Sequence, residues 1–332
     1  MKELIQKLTE TFSPSGYEDS IREVILAEIK SLVDDIRVDA LGNLIARKGE
    51  TSQKGERVMV AAHMDVIGLI ATHIDANGFV RFTTVGFPFA RYLLGGRVRF
   101  VSGIQGVIGS ERLEKYNLIP PADKMFIDVG ATGKKDCPVR VGDVAAFERP
   151  FVEMGSRLVA KALDDRAGVA VVIETLRRLN GSPNELYFVF TVQEEVGVRG
   201  ATVSAYGIDP EVGLAIDVTP TGDTPNSIQR DIELGSGPAV KVKDQLMLSD
   251  PKVVAWMERT AQKAKIPLQR EVLTGGSTDA HAIQLTRSGV PTGGLSIPCR
   301  YVHSPSEMID YGDVENAVKL LTTMLSAPVD LG

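Results

Sequence analysis

Residues 186–200 read LYFVFTVQEEVGVRG. The stretch 186–193 is apolar and rich in aromatic and β-branched types, and it has no polar alternation. That pattern predicts a strand covered on both faces, as in a parallel sheet layered with helices. The strand then runs into two adjacent carboxylates, Glu194 and Glu195, which repel each other unless positive charge lies beside them. Gly197, Arg199 and Gly200 lead into a short helix expected near 199–206.

The same texture recurs on either side. RVMVAA at 57–62 predicts a buried strand that ends at His63. Further strands are expected at 212–218 and 291–298. Helical spacing of Ile21, Val24, Ile25, Ile29 and Leu32 marks a helix within 18–34. Others are expected over 165–180, 250–265, 279–288 and 312–326, the last carried by Val314, Ala317, Val318, Leu320 and Leu321. Strands alternating with helices imply an α/β domain with a mostly parallel central sheet between helical layers.

From 68 to 150 the texture differs. Residues 68–86 read as a hairpin with Asn77-Gly78 at its turn. Short strands follow at 97–101, 104–109, 125–129 and 143–148, with no convincing helix. We therefore expect a discontinuous α/β domain, residues 1–66 and 159–332, with a β-rich insert at 67–158.

The chain has 332 residues, a net charge of −6 and a pI near 5.4. No basic patch suggests nucleic acid, and no apolar run is long enough to span a membrane. The N-terminus, MKELIQKLTE, lacks the apolar core of a signal peptide. Cys137 and Cys299 lie far apart, so a disulfide framework is not expected and a reducing cytoplasm fits.

Ligands of open α/β sheets gather outside the carboxyl ends of the strands. His63 and Asp65 follow one predicted strand, Glu194 and Glu195 a second, Asp217 a third, and His303 lies in the loop beyond a fourth. Asp164 and Asp165 open the helix after Lys161. These are metal-ligand types suited to two divalent cations. One glutamate of the pair can bind a cation while its neighbour takes the proton of a shared water. Asp65, two residues past His63, falls on the same side of an extended chain and can orient the imidazole. Each residue has a plainer reading alone: an Asp164 or Asp165 helix cap, a core His63, a turn at Asp217, a loop His303. Together at site-building positions they favour chemistry. His73 is expected on the surface and His281 on the wall of a pocket.

AAHMDVIG, KALDDRAG, QEEVGVRGA, AIDVTP and YVHSPSE, in this order, resemble the tetrahedral (TET) aminopeptidases, dinuclear metallopeptidases also known as glutamyl aminopeptidases or CelM-type endoglucanases. ALGNLIA at 40–46 and GGSTDAHAI at 275–283 extend the likeness to nearly the whole chain. The resemblance implies that His63 and Asp217 bind one metal and Glu195 and His303 the other, with Asp164 bridging. It also implies Glu194 as general base and Asp65 as the orienting partner of His63. Zinc or cobalt are the expected ions, with manganese also suited. The implied fold is a three-layer α/β catalytic domain with an inserted β-barrel-like dimerisation domain, assembled into tetrahedral dodecamers acting on short peptides. A two-carboxylate glycoside hydrolase leaves His63, Asp217 and His303 without a role. A metal-stabilised, non-enzymatic oligomer has no need of Glu194.

Overall fold

The computed structural model describes residues 1–50, 55–113, 115 and 118–332. Its centre is the long helix Leu163–Arg178, buried on nearly every side. The run Ala167-Gly-Val-Ala-Val-Val-Ile173 is apolar all round, as expected of a helix with no solvent face. Lys2–Glu10, Asp19–Ile29 and Tyr311–Leu325 pack against it. Helix starts follow local chemistry. Asp250 accepts from the Lys252 amide with Pro251 in the first turn, and Asp310 caps Tyr311–Leu325 through the Gly312 amide.

Against these helices lies a mixed sheet whose central strands run Glu185–Thr191, Arg57–His63, Val212–Pro220 and Thr292–Arg300, neighbour to neighbour and all parallel. The expectation of a mostly parallel sheet describes this centre. The flanks are antiparallel: Leu44–Lys48 and Asp35–Val38 on one side, Glu307–Asp310, Arg157–Ala160 and Val152–Met154 on the other. Ala239–Lys243 runs antiparallel to Thr292–Arg300 and carries Gln269–Val272 in parallel beside it. The helix expected to 288 ends at Gln284, and the helix Lys2–Glu10 precedes those anticipated.

The second body is a closed barrel of six antiparallel strands: Gly68–Ile74, Val80–Val85, Arg97–Phe100, Gln105–Ser110, Met125–Asp128 and Val144–Phe147. Closure leaves no open sheet edge. Leu69, Val80, Phe82, Val98, Phe100, Ile108, Met125, Ile127 and Phe147 form a core separate from that of the α/β body. Asn77-Gly78 does sit in the first hairpin's connection, where Asp75 accepts from the amides of Asn77 and Phe79. A short α-helix, Ala90–Leu93, and a 3-10 turn, Ala122–Lys124, interrupt the region expected to hold none. Both cysteines are free, and no helix among the described residues is long and apolar enough to cross a membrane.

Candidate metal centre

Parallel strands end on one edge, and that edge carries the site. His63 is the last residue of its strand, in register with Thr191. Glu194 and Glu195 stand three and four residues beyond Thr191, in a turn where Gln193 has φ +56°. Gly200 opens the helix Arg199–Ile208 hard against this strand; a Cβ there would meet Val192 O at 2.4 Å and Asn43 Oδ1 at 2.3 Å. Asp217 lies inside Val212–Pro220. Asp164 heads the central helix, joined to Asp165 by a cis peptide bond. His303 sits three residues past its strand with φ +61°.

The side chains converge. Asp164 lies between the two histidines, its Oδ1 3.1 Å from His63 Nε2 and its Oδ2 3.4 Å from His303 Nε2. Asp217 Oδ1 and Glu194 Oε2 each lie 4.0 Å from His63 Nε2, and Glu195 Oε2 lies 3.3 Å from His303 Nε2. Two groups result, His63–Asp164–Asp217 and Asp164–Glu195–His303, each with donor atoms within 4.8 Å of one another. Asp164 belongs to both.

The rings are oriented alike. His63 Nδ1 lies 3.1 Å from the Asp65 carbonyl, and His303 Nδ1 lies 3.1 Å from the Phe87 carbonyl. A carbonyl only accepts, so Nδ1 carries the proton in each ring. In the neutral tautomer, Nε2 then presents a lone pair to carboxylates that also only accept. A cation between them resolves that conflict, and this donor set of imidazole nitrogen and carboxylate oxygen suits one.

Without a cation, protons meet the same demand. Burial opposes charge on His63, yet Asp164 and Asp65 push its pKa well above the imidazole range. Burial raises Glu194 and Asp217 well above ordinary carboxylates, against the pull of His63, and brings Glu195 to about 7. Glu195 Oε1 is buried with no hydrogen-bond partner. Acids that resist ionisation in their own company are stabilised by added positive charge.

Asp65 stands where expected, but its backbone oxygen is nearer His63 Nδ1 than its carboxylate, which lies at 3.5 Å. The carboxylate instead accepts from the amides of Glu194, at 2.9 Å, and Glu195, at 3.2 Å. The helix cap falls to Asp165, which accepts from the Gly168 amide. His73 is exposed. His281 is half-buried on the helix Asp279–Gln284, and its Nδ1 has no partner.

Two residues were not anticipated. Glu307, fully buried, accepts from the Asp164 amide at 2.9 Å and the His303 amide at 3.0 Å, so one side chain holds the backbone of both loops. It closes the motif YVHSPSE, whose final acid was the available signal. Asp279 is buried beside Thr191, which donates to it, and burial raises its pKa to about 6.

An α/β sheet whose strand ends gather imidazoles and carboxylates around a shared aspartate defines a metal-dependent hydrolase. The chain belongs to the family described as M42 glutamyl aminopeptidase, whose model matches residues 42–320. It is an aminopeptidase, a hydrolase of peptide bonds. A putative aminopeptidase of Acetivibrio thermocellus is 46% identical over 325 residues, 97% of each chain. Aminopeptidase APDkam598 from the archaeon Desulfurococcus kamchatkensis superposes with a TM-score of 0.93 at 41% identity, covering 98% of this chain and 94% of that one. The TET1 peptidase of Pyrococcus horikoshii, which can assemble into a tetrahedron or a large octahedral shell, gives 0.88 at 35% identity over 98% of both chains.

Proposed function

We propose that the protein removes N-terminal residues from short peptides, using two divalent cations held by these side chains. His63 and Asp217 would hold one, Glu195 and His303 the other, with Asp164 shared. Zinc or cobalt fit the donors, and manganese is compatible. When bound, such ions polarise a carbonyl and lower the pKa of water.

The chain's own groups do the rest. Asp65 and the Phe87 carbonyl fix the two imidazoles. Glu194 Oε2 lies 4.0 Å from His63 Nε2 and belongs to neither donor group. It takes a proton from the attacking water and returns it to the leaving amine. The observation that carries this reading is the matched orientation of His63 and His303, with both Nε2 atoms turned onto Asp164.

We further propose self-association through the inserted barrel, whose strands run from Gly68–Ile74 to Val144–Phe147 while Val152–Met154, expected in the insert, joins the large sheet, with a tetrahedral dodecamer as the assembled form. The assembly stated for the Pyrococcus horikoshii TET1 peptidase supports this. The test of the catalytic reading is a panel of aminoacyl anilides with zinc, cobalt or manganese added to chelator-treated protein. Turnover should return with metal and be lost in Glu194→Gln at unchanged metal content. Full activity in that variant overturns the assignment of the base. Light scattering of the same sample reports the assembly.

A further inference from the structure

The segment Ser13-Pro-Ser-Gly-Tyr-Glu18 joins the first two helices and interrupts the helical pattern. It is far from the strand ends in sequence but lies against them. Ser15 N donates to the Val66 carbonyl, and Pro14 bridges Val66. Ser15 Oγ donates to Asp65 Oδ2 at 2.7 Å. Arg166, fully buried, donates to Ser13 Oγ and, at 2.6 Å, to the Leu8 carbonyl.

Glu18 completes the contact. Only 5% exposed, it accepts through Oε1 from the Gly16 amide at 2.7 Å and the Gln193 amide at 3.2 Å. Three successive amides, those of Gln193, Glu194 and Glu195, are therefore each held by a carboxylate: Glu18 for the first, Asp65 for the other two. Gln193 needs such a hold. Its φ of +56° is a left-handed conformation that a non-glycine residue adopts at a cost of about 1 kcal/mol or more.

We infer that Glu18 is a positioning residue for the aminopeptidase reaction: by fixing the Gln193 amide it sets where the turn presents Glu194 and Glu195. The inference rests on the roles proposed above for those two glutamates. Glu18 reaches no reacting atom. It acts through the backbone, and the quantity it supplies is a hydrogen-bond acceptor at a set distance. A shift of about 1 Å in a catalytic group can cost on the order of a hundredfold in rate.

Three substitutions test this in the full-length, metal-loaded protein, with folding checked first by circular dichroism and gel filtration. Glu18→Gln keeps an acceptor at the same reach and removes the charge; its kcat should stay within about threefold of wild type. Glu18→Asp keeps the charge but withdraws the acceptor by one methylene. Glu18→Met keeps the volume and removes the acceptor. Both should lower kcat at least tenfold with KM within about twofold. Should Glu18→Met not fold, Glu18→Asp decides. Wild-type kcat in Glu18→Asp, or an equal loss in Glu18→Gln, overturns the inference. Glu194→Gln, run in parallel, separates the two claims. If it retains activity, the reading of the base fails; if it is inactive while Glu18→Asp is not, only the positioning role fails.

Discussion

Asp164 turns one carboxylate oxygen to His63 and the other to His303, at 3.1 Å and 3.4 Å. It is the side chain common to both donor groups, whereas Asp217 belongs to one. Asp164→Asn should therefore weaken both ions, and Asp217→Asn chiefly one. Elemental analysis after dialysis at limiting metal distinguishes these outcomes. Loss of a single ion in both variants would contradict a shared ligand.

Glu307 holds the amides of Asp164 and His303. Glu307→Ala leaves two donors without an acceptor, the Asp164 amide buried and the His303 amide half-buried, at about 1–3 kcal/mol each. It also frees His303 from the contact that keeps it at φ +61°. Denaturant unfolding of the metal-free protein should show a loss of about 2–6 kcal/mol. Glu307→Gln, which keeps an acceptor, should lose much less. Metal affinity should follow the same order.

Arg300 grips Asp223 through two bonds, 2.9 Å and 2.7 Å, and Asp223 also accepts from Leu234 N, so the loop between them is tied to the strand Thr292–Arg300. Burial opposes the charge, but Arg300 and Thr221 hold the Asp223 pKa below the ordinary carboxylate range. A depressed folded-state pKa stabilises above the unfolded value, about 3.9, and that contribution vanishes as pH falls through the folded value. Asp223→Asn should lower the melting temperature at pH 7. The gap to wild type should narrow as pH drops below about 4. A gap independent of pH would show that the ion pair is not its source.

Lys241 and Glu271 form an ion pair of 2.9 Å with both side chains out of water. Thr219 and Ser296 also donate to Glu271, so Oε1 accepts from Thr219 and Lys241 and Oε2 from Ser296. Removing one partner leaves a buried charge alone, and Lys241→Ala should cost about 3–5 kcal/mol in denaturant unfolding. Lys241→Met with Glu271→Leu removes the uncompensated charge and should recover a large part of that loss.

What the sequence reveals follows from what physics writes into short windows. Apolar runs such as Val58–Ala62 and Leu186–Val192 must be buried, so the residues after them, His63, Glu194 and Glu195, can be placed without coordinates. The barrel is legible through Asn77-Gly78 and the short spacing of its strands. The strands Asp35–Val38, Ala239–Lys243 and Gln269–Val272 were not, because they are four or five residues long and either bury no residue, as Asp35–Val38 does not, or mix exposed with buried positions. The tasks of Glu18 and Glu307 were not legible for another reason, although Glu307 closes the motif YVHSPSE. Each acts on peptide amides as many as 175 residues away, and an amide leaves no mark in the letters. The capping aspartate could not be chosen between Asp164 and Asp165, since both spacings suit a first turn. Only the fold turns Asp164 toward the histidines.

The His303 ring rests its proton on the carbonyl of Phe87, and Phe87 follows a barrel strand rather than a strand of the large sheet. One imidazole at the strand ends is thus aimed by the other body of the molecule. A neighbour pressing on that loop would tilt the ring, and a neighbour bracing it would steady the ring. The same loop sets Phe89 beside the His303 ring and Gly86 against Glu195, so whatever company the barrel keeps reaches the site through this one loop.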